Sequence, residues 1–454
     1  MEPGNGARRG LSLKSTAAGV RIPNARLIVA VTALIVSAAI LWLARGFTFY
    51  FDEWTFILTA PDWTVATLLQ PHNEHPSMLA RAAYAIFLNT VGLRSYVPYM
   101  AVLLLLHATN VVLLFELVRR RSGELLGLAA AALLLVLGAG WENLLWAFQL
   151  AWLASVALGL GMLLCLQGRS TRRRMSLATV FLVGSLMFSG IGLVFAVAAA
   201  VLLIATPGRR RDLWWLVPVA VALMAWYLAY GRGGVEPVPP PSFANLTLMP
   251  VYLVWGVGSG AAALIGESGW AGPVLLVPAA AAVAWTWRRN GADPLALSVA
   301  AALIAFYIVT GATRAQLGYQ QSASGRYVYE GALFWLILLT DAARNLPWRG
   351  TWRPALTACL FLACFNSGVL LVTYAAAKTA QMEREAGDLQ ALAAERADPC
   401  LNPNGAVDLL VMPQVTRPAD FYRAVDLYGF PAASVPIDQA ALRAAKVNLR
   451  KLGC

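Results

Sequence analysis

The chain has 454 residues, of which 59% are hydrophobic and 13% charged, with a formal net charge of +12. A soluble protein of this length carries roughly a quarter charged residues, so the composition excludes an ordinary water-soluble globule. Nucleic-acid binding is a poor account of the positive charge, because the basic residues form short clusters between apolar runs: Arg119-Arg120-Arg121, Arg172-Arg173-Arg174, Arg209-Arg210-Arg211, Arg288-Arg289, and the stretch from Arg344 to Arg353. Such clusters mark the cytoplasmic loops of a multi-pass membrane protein.

Residues 1–25 are basic and rich in Gly and Ser, and read as a disordered cytoplasmic tail. The apolar run at 26–46 is too long for a signal-peptide core and lacks an A-x-A-like cleavage site, so it is expected to stay as an outward first span. With every Arg cluster assigned to the cytoplasm, the next spans fall at 97–118, 125–140, 144–166, 175–188, 191–206 and 213–230. Residues 77–93 are apolar, but Arg81 lies among them and a crossing there would invert every later cluster. They are expected to lie as a helix on the outer membrane surface. Residues 249–266, rich in Gly and Ala, read as re-entrant or interfacial for a similar reason. Spans at 272–287, 295–311, 327–342 and 355–374 complete the membrane module. The predicted fold is an all-α polytopic membrane protein of about 11 transmembrane helices, N-terminus inside and C-terminus outside. Its module covers 26–374, with a first outer loop at 47–96 carrying juxtamembrane helices at 61–70 and 77–93. A small extracytoplasmic α(+β) domain is expected at 375–454. Cys165, Cys359 and Cys364 fall within spans, whereas Cys400 and Cys454 fall in the outer segment, where oxidation is permitted, and are expected to pair.

The unusual polar residues gather on the loops assigned outside. FDEW, residues 51–54, sets Asp52 and Glu53 among aromatic neighbours directly after the first span. QPHNEHP, residues 70–76, brackets His72, Glu74 and His75 with prolines. The end of the third span supplies Glu142, Asn143 and Gln149, and TRAQLGYQQSASGRY, residues 313–327, supplies Arg314, Gln320, Gln321 and Arg326. The cytoplasmic loops carry mostly Arg, and this asymmetry points to a site on the outer face. Each element also has a plainer reading. An acid pair after a span can be a solvated helix end, the two histidines match no zinc spacing, and Arg326 can snorkel to the interface. Trp54, Trp141 and Trp146 suit interfacial anchoring. His107 and Asn110, inside the second span, suit helix-to-helix hydrogen bonds better than a proton relay.

The order of these parts resembles the GT-C superfamily of polytopic glycosyltransferases, which use polyprenyl-phosphate-linked sugars outside the cytoplasmic membrane. There a first span is followed by an outer loop that opens on a D-E, E-D or D-D motif and continues into one or two helices along the membrane. FDEW fills the motif position, and GRY, residues 325–327, is similar to the Arg-Tyr at the outer start of a late span. The resemblance covers the architecture of the whole chain, with sharp motifs only two or three residues long. It implies a glycosyltransferase of a bacterial cytoplasmic membrane, moving a sugar from a polyprenyl-phosphate carrier to an acceptor hydroxyl on a glycan, glycolipid or protein of the cell envelope. It further implies Asp52 as the base, and Glu53 as a group that orients the acceptor or shares a divalent ion such as Mg or Mn with Asp52. Arg326 would present a planar fork of donors to the lipid phosphate, with His72, Glu74, His75, Glu142, Asn143, Gln321 and Tyr327 as further substrate contacts. The outer C-terminal segment is smaller than the sugar-binding domain of the bulkier members, which leaves it a capping or acceptor-guiding role. The rival readings are an O-antigen-type ligase or polymerase, a lipid or solute transporter, and a non-enzymatic assembly protein. A ligase or polymerase is expected to work from a large later outer loop, and a transporter to bury ionisable groups at mid-membrane, often in duplicated halves.

Overall fold

The computed structural model describes residues 16–73, 75–233, 243–267, 269–431 and 433–451. Among them, helices and turns account for the fold and no strand forms. Seven helical stretches are long and apolar enough to cross a membrane.

The first helix, α1 (Ala25–Leu43), buries Ala25, Val29, Ala33, Ser37 and Ile40, a spacing of three or four that defines one face. Leu27, Leu34 and Ile35 on other faces are exposed. Arg26 at its start pairs with Glu116 at 2.6 Å, near the end of α5 (Val97–Ser122), so the two helices run antiparallel. Residues 16–25 differ from the loose tail expected of them. The Ala17 amide donates to the Leu346 carbonyl at 2.9 Å and the Ile22 amide to Glu124 at 2.8 Å, which ties the segment to two loops at the arginine-bearing end.

Between α1 and α5 lie α2 (Glu53–Thr59), α3 (Val65–Leu68) and α4 (Met78–Thr90). The helix expected at 61–70 is realised as a 3-10 turn at Ala60–Asp62 and the single turn of α3, with Pro61 in the former. At 1.5 Å per residue α4 is about 20 Å long, well short of the roughly 30 Å hydrocarbon core. Its Arg81 donates to the carbonyls of Thr67 at 2.7 Å, Gln70 at 3.1 Å and Pro71 at 3.0 Å. That arginine satisfies the carbonyls left over at the end of α3.

Gly123, at φ +90°, turns α5 into α6 (Glu124–Leu135). The third span was expected to continue to residue 140, but the helix stops at Leu135. The chain then passes through a 3-10 turn at Gly138–Gly140 and the short α7 (Glu142–Leu145) into α8 (Leu150–Leu166). The cause is a close approach: a β-carbon on Gly138 would collide with the Ser367 carbonyl, and the Gly138 amide donates to the Ser367 hydroxyl at 3.1 Å. Non-helical backbone inside an apolar bundle must find its partners within the protein. His107 does part of this, with one ring nitrogen 3.2 Å from the Leu135 carbonyl and the other 2.9 Å from the Tyr329 hydroxyl. Asn110 donates to the Leu153 carbonyl at 3.1 Å, so both polar residues of α5 bond to neighbouring helices.

The hairpin of α9 (Arg172–Phe188) and α10 (Ile191–Ala205) turns at Ser189-Gly190, and α11 (Val217–Ala229) follows. Next come α12 (Phe243–Ala262), α13 (Ala271–Asn290), α14 (Pro294–Arg314) and α15 (Gly325–Ala343). Asn245 near the start of α12 bonds to the Ala312 carbonyl at 2.8 Å and the Gln316 amide at 2.7 Å, at the end of α14. Beyond α13, Asp293 instead pairs with Arg121 at 2.6 Å, at the other end of the bundle. Together α12 and α13 therefore make one net traverse, although α12 by itself is long and apolar enough to span. The buried half of α12 begins at Gly256, and small residues there let α13 and α15 approach closely.

The last long helix, α16 (Trp352–Glu395), continues through residue 375, where a separate C-terminal unit was expected to begin. At 44 residues it is about 66 Å long, more than twice a bilayer core, so its final third projects beyond the apolar bundle. That projecting part is packed by α18 (Gln439–Asn448), while α17 (Pro418–Tyr428) packs on α2 and reaches α16 through the Tyr422 hydroxyl, which donates to the Leu392 carbonyl at 2.8 Å. The expected β component is absent among the described residues: VDLLV, 407–411, forms turns, and Leu401 and Arg450 share only an isolated bridge. Cys400 is disulfide-bonded, and Cys165, Cys359 and Cys364 are free. Cys454, the partner expected for Cys400, lies outside the described residues.

Candidate functional site

FDEW is locked from three directions. Phe51 adopts a left-handed backbone, φ +50°, uncommon for a residue with a side chain, and its amide donates to the Val411 carbonyl at 3.2 Å. Glu53 is wholly buried and accepts from the Tyr84 hydroxyl at 2.7 Å, the Tyr96 hydroxyl at 2.9 Å and the Tyr50 amide at 3.0 Å. Burial pushes its carboxyl up to about 7, against the pull of those three donors. The Trp54 indole donates to Glu385 of α16 at 2.7 Å. With its neighbours held inward, Asp52 is the acid that remains partly exposed, accepting from the Gln414 amide at 3.2 Å. Burial also raises the Asp52 carboxyl above its ordinary value, while the charges of Arg326 and Arg314 oppose the rise.

The broken backbone after α6 supplies the opposite wall. Glu142 accepts from Arg326 Nε at 2.7 Å, and Asn143 donates to the Arg326 carbonyl at 3.2 Å. The Arg326 guanidinium stands 5.4 Å from the Trp146 ring centre. Lys378 of α16 reaches the same place: its ammonium lies 2.8 Å from the centre of the Tyr50 ring and 6.0 Å from that of Trp146. Five separate stretches of sequence thus meet around Asp52.

An apolar cavity of about 430 Å³ opens between α9, α10, α11 and α14, with Arg314, whose charge acts on Asp52, in its lining. Leu186, Ile191, Val194, Leu223, Met224 and Phe306 line its depth, and His75, Thr313, Arg314 and Tyr327 add polar groups. Gly190 is needed at one edge, since a β-carbon there would lie 2.6 Å from His75 Nδ1.

The other expected contacts divide. Tyr327 is buried, and its carbonyl accepts from the Tyr307 hydroxyl at 3.2 Å. His72 is buried between Phe56 and Phe148, at 5.1 and 5.5 Å between ring centres, and is absent from the cavity lining. The backbones of His72 and His75 bond reciprocally at 3.0 Å. Gln321 is half-buried in the 3-10 turn Tyr319–Ala323, and Glu74 lies outside the described residues. Asp52 and Glu53 do not converge on one point, because the Glu53 oxygens face hydroxyls in the core, so this pair does not fit a shared divalent ion. No group of three His, Cys, Asp or Glu residues among the described residues has metal-holding geometry.

Sequence reasoning missed Lys378, Tyr84, Tyr96, Gln414 and Glu385. Only Lys378 carried a signal, as the first charge after the last apolar run. The chain is an all-helical protein of membrane-spanning composition with one polar cluster at the bundle end opposite its arginine clusters. Comparison with protein-family models, curated proteins and solved structures finds no match to it.

Proposed function

We propose that the chain is a glycosyltransferase that moves a sugar from a polyprenyl-phosphate carrier to an acceptor hydroxyl at the outer face of a bacterial cytoplasmic membrane. The observation that carries this reading is that Arg314, whose charge acts on Asp52 together with that of Arg326, also lines the apolar cavity. An apolar chain in the cavity puts its phosphate beside the Arg314 guanidinium and directs its sugar toward the half-buried Asp52 carboxylate. The reading takes about 11 crossings, counting α12 and α13 together as one, with the arginine clusters in the cytoplasm.

In this reading the acceptor oxygen bonds the anomeric carbon as its proton passes to Asp52. The bond from that carbon to the phosphate oxygen breaks, and its electron pair leaves on the phosphate, whose charge Arg326 and Arg314 offset. Burial raises the Asp52 carboxyl and so makes it a stronger base, while the charges of Arg326 and Arg314 oppose the rise. Glu53 serves as a positioning residue that holds Tyr84, Tyr96 and the Tyr50 backbone, and with them the geometry of Asp52.

Mass spectrometry of lipids co-purifying with the protein identifies the donor, and transfer from its radiolabelled form to candidate acceptors tests the reaction. Polyprenyl-phosphate sugar bound and consumed supports the reading. A lipid that is translocated but never consumed favours a transporter and sinks it.

A further inference from the structure

At the end opposite Asp52, the bundle leaves a second opening of about 600 Å³, with Arg120, Arg121, Arg174 and Arg209 in its walls and Asp293 as its one acid. A smaller cavity of about 370 Å³ shares Arg120 and Arg174 and adds Arg173 and Thr171. Arg121 is neutralised by Asp293 at 2.6 Å and Asp341 at 2.8 Å, and Arg209 by Asp212 at 2.8 Å. The remaining cations outnumber their acids. Glu116 alone serves Arg26 at 2.6 Å, Arg119 at 2.8 Å and Arg120 at 3.6 Å. No acid among the described residues pairs with Arg173 or Arg174.

The placement of these last two is costly. They stand in the first turn of α9, where the helix dipole is positive and favours anions over cations. The Arg174 guanidinium folds over Gly168 into the space that a β-carbon would fill, so the loop before α9 is shaped to admit it. A topology signal explains why arginines occur at this end, but not why Arg120 and Arg174 share the walls of two adjoining cavities. A phosphate there would meet both guanidiniums and the free amides of a helix N-terminus. Leu177, which lines the smaller cavity, and Val180 one turn on leave an exposed apolar lane along α9.

We infer that Arg120 and Arg174 hold the phosphate of an anionic membrane lipid whose acyl chain lies along Leu177 and Val180. Basic pockets between membrane helices recognise phosphate headgroups through this combination of charge and adjacent apolar surface. The site is distinct from the Asp52 cluster and does not depend on the reaction proposed for it.

Native mass spectrometry of the full-length protein, exchanged into phosphatidylglycerol or phosphatidylcholine, tests the inference. Phosphatidylglycerol should be retained, and the double variant Arg120→Gln with Arg174→Gln should retain about tenfold less or lower. The control variant Arg288→Gln with Arg289→Gln removes as much charge from arginines outside both cavities and should retain the lipid normally. Equal loss in the control, or equal retention of phosphatidylcholine, overturns the inference. So does displacement of the lipid by millimolar inorganic phosphate, which would assign the cavity to a free anion.

Discussion

The ammonium of Lys378 lies over the ring of Tyr50, 2.8 Å from its centre, joining the last long helix to the loop that follows the first. The carboxyl groups of Glu385, Glu53 and Glu142 act on this buried cation besides the aromatic faces, and a further anion arriving in water-excluded surroundings would bind it favourably. Lys378→Met keeps the stem and removes the charge. Donor affinity should fall about tenfold with little change in thermal midpoint, and Lys378→Arg should recover part of it. A lowered midpoint with unchanged affinity would make the residue a packing element alone.

Asp52→Asn preserves shape and loses the basic oxygen. Turnover should drop about 100-fold or more while donor lipid still binds. In the wild type, activity should rise with pH as Asp52 ionises, and because burial raises that carboxyl the rise should fall above the ordinary carboxylate range. Near-normal turnover in the variant would leave Asp52 without a catalytic part and FDEW as a packing motif.

The pair Arg326–Glu142 separates electrostatics from architecture. Arg326→Ala removes a phosphate contact and strands Glu142, so donor affinity should fall about tenfold to 100-fold. Arg326→Lys should recover only part, because the planar fork is lost. Adding Glu142→Gln to Arg326→Ala should recover folding stability but not donor affinity. Recovery of both, read by thermal unfolding and donor titration, would show a purely structural ion pair.

Glu53 predicts a pH-dependent stability. Its carboxyl stands at about 7 in the folded protein against an ordinary 4.5, so folding binds a proton between those values. Stability is therefore full at or below pH 4.5 and falls as pH rises to about 7, by roughly 3 kcal/mol. Glu53→Gln should flatten this part of the profile in thermal unfolding, since a neutral amide can accept from the Tyr96 hydroxyl and donate to the Tyr84 oxygen without titrating. An unchanged slope would assign the effect to other groups.

The chain between α1 and α5 should lie wholly on one side of the membrane. In a background depleted of reactive native thiols, Gln70→Cys and Arg94→Cys should both react with an impermeant reagent from the same side. Labelling from opposite sides would turn α4 into a crossing and reverse every later loop.

The sequence alone determined the class of this protein and which end of it is basic. Apolar runs near bilayer length point to membrane-spanning helices, and arginine clusters mark the loops at one end, because both signals act locally along the chain. It also marked Asp52, Glu142, Asn143 and Arg326 as unusual, since charge beside an apolar span needs a partner. Only the tertiary structure decided what those partners are. Asp52 and Glu53 are adjacent in sequence, yet Glu53 turns into a cage made by Tyr84 and Tyr96 while Asp52 meets Gln414, some 362 residues away. The end of α6 at Leu135 was likewise invisible, because it is caused by Gly138 meeting Ser367 from a helix 229 residues on. Lys378 came to Tyr50 by the same route. A sequence exposes periodicity and composition, whereas burial, charge pairing and broken helices depend on which distant segments pack together.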